Sequence, residues 1–356
     1  MRITLRTSVL LLTGIWICDA TVLCCHLTAA EQNDAASEVS AQSAPEANSE
    51  ANSDVGRPVR IVSFSFRPRA LDQIITLVDR EGAKGADLIT LPELCRGQDD
   101  DSREPTNGPT IAALKKLASK HGTYILCPLD VVAEGDRKNR AVLIDRQGNL
   151  AGYYDKVFPY WSEYDHSQPV APGSAAPVFQ TDFGKLGVAI CFDVNFPEVW
   201  QQLASADAEL VIWPSAYSAG RHLQAYSLLH HYYIVTSTWT GDCQVYDITG
   251  ERIRDDRSDD VNVTRVTLDL DRGIYHQNFN IDKRDKLLKE QSGKVAQERY
   301  LDREQWFVLK ATEPGVSARS LAREYGLEEL RDYIDRSRAA INNMRGRDFP
   351  YQAAND

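Results

Sequence analysis

From residue 58 onward, apolar and polar positions fall into short runs of two different periods. Residues 59–64, Val-Arg-Ile-Val-Ser-Phe, form a mostly apolar, β-prone run that predicts a strand. Leu71, Ile74, Ile75 and Val78 recur at i, i+3, i+4 and i+7, one face of a helix. The pattern then repeats: a strand at 87–91, a helix after Gly108-Pro109 with Ile111, Leu114 and Leu117 inward, and strands at 124–127 and 140–145. Gln147-Gly148-Asn149 reads as a turn into a strand over 150–157, and 178–181 with 185–190 reads as a strand pair. A helix begins near Pro197, a strand covers 209–213, and a helix covers 223–232. Strands at 233–237 and 244–247 lead to Thr249-Gly250, and 261–270 closes the series. Helices and strands mixed throughout, with hairpin-like turns among them, predict an α/β or α+β domain over residues 58–270.

The flanks have a different texture. Residues 31–57 carry six acids against Arg57 and almost no large apolar side chain, which predicts a disordered linker. Before it, Arg2 and Arg6 precede the apolar residues 9–18, and Thr28-Ala29-Ala30 offers small residues before Glu31. That is the layout of an export signal over 1–30, and it predicts a periplasmic or secreted protein. The apolar stretch is short for a bilayer span and Asp19 follows it, so an uncleaved anchor or a lipid on Cys24 or Cys25 is the lesser reading. Residues 271–356 are charged and mainly helical in pattern, with Leu327, Leu330 and Ile334 as an apolar stripe. Residues 316–327 look like the start of a helix-turn-helix, but Glu328, Glu329 and Asp332 stand where a DNA reader needs cations. The net charge of −11 also argues against nucleic acid as partner.

Candidate chemistry centres on three segments. Gly187-Val188-Ala189-Ile190 runs into Cys191-Phe192-Asp193, with Phe196-Pro197-Glu198 just beyond. Leu88-Ile89-Thr90-Leu91-Pro92 runs into Glu93, and Gly152-Tyr153-Tyr154-Asp155 into Lys156. Each segment ends a β-prone run in one ionisable side chain, where a nucleophile, a proton carrier and a cation can meet. A carboxylate, an ammonium and a thiol suffice for amide hydrolysis through a thioester, and that chemistry needs no metal or organic cofactor. Of the seven cysteines, Cys95, Cys127, Cys191 and Cys243 lie beyond the signal region, scattered and without a C-x-x-C motif. An exported nucleophilic thiol must avoid pairing, and Cys95, two residues after Glu93, is its most worrying expected neighbour. Asn262-Val263-Thr264 fits a glycosylation sequon of a kind common by chance.

Glu93, Lys156 and Cys191, in that order and with those lead-ins, resemble the nitrilase superfamily of carbon–nitrogen hydrolases. The resemblance implies a four-layer α-β-β-α sandwich and catalytic roles for the three residues. Glu93 would carry the proton, and Lys156 with the backbone N–H of Phe192 would hold the oxyanion. It also implies that Glu163, seven residues after Lys156, orients the lysine or the substrate. A small-molecule amide or N-carbamoyl substrate and a homodimer or higher homo-oligomer follow from the same likeness. Phe192-Asp193 stands where true nitrilases carry Trp-Glu, which points away from nitriles. Leu229-His230-His231-Tyr232 stands where relatives often carry Glu-Asn, which puts the usual contacts there in doubt. Acyl transfer from the same thioester, or a catalytically silent binding protein on the same fold, are the alternatives.

Overall fold

A computed structural model describes residues 55–99, 102–165 and 167–349. The expected export signal, and the linker up to residue 54, lie outside the described residues. β1 (Pro58–Ser65) leads into α1 (Leu71–Gly82) and β2 (Leu88–Thr90); the short β3 (Glu104–Pro105) precedes α2 (Pro109–His121), β4 (Tyr124–Ala133), β5 (Asp136–Ile144) and β6 (Leu150–Asp155). The next stretch holds α3 (Trp161–Tyr164), β7 (Val178–Gln180), β8 (Lys185–Val188), a 3-10 turn at Cys191–Asn195, α4 (Pro197–Ser205) and β9 (Leu210–Ser215). It continues with α5 (Arg221–His230), β10 (Tyr233–Thr238), β11 (Asp242–Tyr246) and β12 (Arg252–Arg257), and β13 (Asn262–Asp269) follows.

These strands form two sheets. One has the order β13-β1-β2-β4-β5-β6, the other β12-β11-β10-β9-β8-β7. The alternation along β1 shows how they are layered. Val62 and Phe64 face α1 and α2, packing on Ile74, Val78, Ile111 and Leu114. Val59 and Ile61 face the second sheet, in the cluster that holds Leu210, Ile212 and Ile234. Ser63 and Ser65 share that inner face. Their hydroxyls donate across the sheets to Thr236 O (2.6 Å) and Asp242 O (2.8 Å), which satisfies groups that burial would otherwise leave unpaired. With α4 and α5 packed on the far side through Trp200, Leu203 and Leu223, the core is a four-layer α-β-β-α sandwich.

Helix boundaries follow local chemistry. Pro109 opens α2, where its missing N–H costs nothing, and Gly122 closes it with φ 60° in the left-handed region. The central pairs β1–β2, β2–β4, β8–β9 and β9–β10 are parallel, so the chain leaves β2, β8 and β9 through their carboxyl ends. Those ends are where an α/β sheet places its functional groups.

The C-terminal extension holds more strand than its pattern predicts. β14 (Gly273–His276), β15 (Val295–Leu301) and β16 (Trp306–Ala311) form an antiparallel sheet, accompanied by α6 (Ile281–Glu290), α7 (Ala318–Glu324) and α8 (Leu330–Arg345). The continuous apolar run Trp306-Phe307-Val308-Leu309 has no period that separates strand from helix, and only its pairing with β14 and β15 decides. The helix-turn-helix look-alike is α7 and the turn into α8, with Ala318, Ala322 and Leu330 buried. Arg319 bonds Glu209 (2.8 Å) and Glu329 (2.7 Å), and Arg331 donates to Ala204 O and Ala208 O (2.9 Å each) at the end of α4. The extension is thus clasped to the second sheet and its helix layer. Among the described residues, no helix is long and apolar enough to cross a membrane.

Candidate active site

Three residues past β2 stands Glu93, which points inward, and the chain then turns through Leu94, whose φ of 46° is left-handed. Its Oε1 accepts from Lys156 Nζ (2.9 Å) and Asn139 Nδ2 (2.8 Å), and its Oε2 accepts from the Ala216 N–H (2.7 Å). Lys156 follows β6 and is 1% exposed. Its backbone N–H donates to Asn139 O (2.9 Å), which continues the β5–β6 ladder by one residue. Its ammonium also reaches Glu163 Oε2 at 2.6 Å. Glu163, in α3, accepts further from the Tyr160 N–H (2.7 Å) and from Asn139 Nδ2 (2.8 Å). One ammonium and one amide therefore hold two buried carboxylates side by side.

Cys191 opens the 3-10 turn beyond β8 with φ 46°. Trp213 Nε1 anchors its carbonyl at 3.1 Å. Phe192 is the second residue of that turn, so its N–H lies where no intrahelical carbonyl is available to accept it. Asp193 is fully buried and ties the turn to neighbouring segments: it accepts from Tyr154 Oη (2.6 Å), the Phe158 N–H (2.8 Å) and the Ile190 N–H (2.8 Å). Burial pushes the Asp193 carboxyl up to about 6, against the pull of those donors.

Burial, and then the Glu93 carboxylate, push the Cys191 thiol above its ordinary range. The Lys156 ammonium, the Ser215 hydroxyl and the Ala216 N–H act the other way but do not prevail. The balance therefore favours the thiol, with Glu93 lining the same cavity. Burial disfavours the Lys156 charge too, yet the Glu93 and Glu163 carboxylates hold that ammonium above its ordinary range. Glu93, Lys156, Glu163, Cys191 and Phe192 line one cavity of about 440 Å³, together with the rings of Tyr160, Tyr217 and Trp239.

Several of these groups escaped sequence reasoning. Asn139, Ser215 and Ala216 carried no motif, and Trp239, whose Nε1 donates to Glu93 O, sits beyond β10. The available signal was position: Ser215 ends a parallel strand, as do the lead-ins to Glu93 and Cys191. One expectation is corrected, and two other sequence features find their place. Cys95 does not neighbour Cys191; it lies 3.7 Å from Cys127 in the layer between the first sheet and α1 and α2. Asn262 of the sequon is buried in β13 with Nδ2 donating to Asp256 O (2.9 Å), so it presents no acceptor for a glycan. His230 closes α5, and His231 caps it at φ 54° with Nδ1 facing Ile248 O. Neither lines the Cys191 cavity.

A four-layer sandwich thus gathers a thiol, a carboxylate and an ammonium past its strand ends, around one cavity. Residues 65–273, more than half the chain, match the model of the carbon-nitrogen hydrolase family, and the chain belongs to that family. It is 33% identical over 180 residues to an N-carbamoylputrescine amidase of Arabidopsis thaliana, covering 45% of this chain and 60% of that one. It is 27% identical over 223 residues to a citrullinase of Francisella tularensis, covering 58% and 77%. Saccharomyces cerevisiae Nit3, of the nitrilase superfamily, shares the fold with a TM-score of 0.53 at 18% identity, covering 62% of this chain and 93% of that one.

Proposed function

We propose that this chain hydrolyses the C–N bond of a small amide or N-carbamoyl compound through a thioester on Cys191. The observation that carries the reading is Lys156 bridging Glu93 and Glu163 in the wall of the cavity that Cys191 enters. Glu93 takes the thiol proton as sulfur attacks the carbonyl carbon. The oxyanion that forms meets the Lys156 ammonium and the Phe192 N–H, both fixed beforehand. Glu93 returns its proton to the departing nitrogen, the C–N bond breaks, and ammonia or an amine leaves. Glu93 then takes a proton from water as that water attacks the thioester. The second oxyanion collapses, releasing the acid and the thiol. Glu163 and Asn139 position Lys156 and Glu93. The amidase and citrullinase relatives support the substrate class. We extend the reading to an exported enzyme that pairs with itself, as the N-terminal pattern and the family likeness suggest.

The test is ammonia release from a panel of amides, N-carbamoyl amines and N-carbamoyl amino acids, with mass spectrometry for an acyl adduct. Cys191→Ala should abolish both while the protein stays folded. Iodoacetamide should label Cys191 ahead of Cys95, Cys127 and Cys243, which are fully buried. Full turnover in the alanine variant would end the reading.

A further inference from the structure

The cavity at Cys191 does not stop at its aromatic wall. Gln98 and Trp239 line it, and both also line a second, open cavity of about 480 Å³. The walls of that second space include Arg69, Arg96 and the exposed Asp99. Trp239 is held between the two by its bond to the Glu93 carbonyl, and Gln98 is exposed.

Arg96 is the unusual member. It is half-buried, and among the described residues its guanidinium makes one bond, from Nη1 to Arg69 O (3.0 Å). That acceptor is neutral. Arg96 Nε is buried without a hydrogen-bond partner, and no carboxylate among the described residues pairs with this side chain. Arg69 pairs with the exposed Asp260, stacks its guanidinium 5.7 Å over Phe66, and also leaves its Nε buried without a partner. A guanidinium stays charged in proteins, so a half-buried one without a counter-ion pays for desolvation and is not repaid by the fold. A planar anion lodged against Arg96 and Arg69 in this cavity would supply the missing counter-charge. Inside the Cys191 cavity, by contrast, Lys156 bonds two carboxylates and its third N–H is assigned to the oxyanion, so a substrate carboxylate finds no further cation there.

We infer that the cavity beside Trp239 is an anion subsite. Resting on the hydrolase reading above, it selects substrates whose amide or ureido end reaches Cys191 while a carboxylate at the far end binds Arg96, with Arg69 alongside. Trp239 and Gln98 would pack along the connecting carbons. The substrate class is the amides and ureido compounds of dicarboxylic or amino acids, in preference to neutral amides of the same length.

Binding and turnover test this separately. In the Cys191→Ala protein, calorimetry compares succinamate, glutaramate and adipamate with butyramide, valeramide and hexanamide. One of the anionic series should bind about ten- to a hundredfold tighter than its neutral partner, the gain one charged hydrogen-bonding pair supplies. The preference should shrink as salt is raised. Adding Arg96→Met should abolish it, Arg96→Lys should restore part of it, and the neutral amides should bind as before. In the enzyme with Cys191 present, Arg96→Met should raise KM for the anionic amide and leave turnover of neutral amides unchanged. Equal binding of both series to the Cys191→Ala protein overturns the subsite whatever Arg96→Met does. So does an equal loss on both series in the Arg96→Met variant. Tight, Arg96-dependent binding without turnover of any amide keeps the subsite and instead removes the hydrolase reading.

Discussion

Replacing Lys156 with methionine keeps the side chain's length and removes the charge that two buried carboxylates share. Lys156 reaches Glu163 at 2.6 Å and Glu93 at 2.9 Å, with all three side chains less than a tenth exposed. At an effective dielectric near 20, unit charges about 4 Å apart attract by about 4 kcal/mol. Burial offsets much of that, and removing one partner from a buried ion pair costs about 3–5 kcal/mol net. Lys156→Met should therefore lower unfolding stability by about that much, and its kcat should fall by about 10²–10³ because an oxyanion donor is gone. Adding Glu163→Gln removes one of the two stranded charges while keeping an oxygen for the Tyr160 N–H. The double variant should recover about 1–2 kcal/mol, as coupled neighbours do, yet be no better as an enzyme than Lys156→Met. Urea unfolding at neutral pH gives the stabilities, and ammonia release gives kcat/KM. A double variant less stable than Lys156→Met would refute the charge argument. Losses in kcat/KM that simply multiply would show that Glu163 does not act through Lys156.

Burial depresses the His231 imidazole to about 4, so folding keeps it neutral. The stability this contributes is complete above pH 6.5 and is lost as pH falls toward 4, about 3 kcal/mol over the window; His231→Asn, which tolerates the left-handed backbone, should flatten that part of a urea-stability profile. Expressed in a bacterium, the full chain should lose about thirty residues and leave the cytoplasm. N-terminal sequencing that finds Met1 on a cytosolic protein would exclude export.

The layers were legible because their residues report their own surroundings. Ile74 and Val78 recur at helical spacing, and Val59 to Phe64 sort onto two faces by alternation. Candidate residues at strand ends were legible for a related reason, since an apolar run that stops at Cys191 or Glu93 shows where the buried strand stops. What stayed hidden depends on which strands become neighbours. Asn139 reads as one polar residue in a charged stretch, and only the antiparallel register of β5 with β6 sets it beside Lys156. Ala216 contributes through its backbone N–H, which no side-chain pattern reports. In the extension, β15 mixes charged and apolar residues in a short run, and its register with β16 shifts between Gln297 and Arg299, which breaks the alternation that would have revealed it.

Cys191 stands in left-handed backbone at φ 46°, a conformation that costs a non-glycine residue about 1–3 kcal/mol and that its anchored neighbours sustain. Glycine would rest there without tension. On the proposed chemistry, the mutation that would most relax this turn is also one that removes the sulfur. Selection for a sturdier fold and selection for turnover thus pull this codon in opposite directions, and a lineage that abandoned catalysis would be expected to drift toward glycine here first.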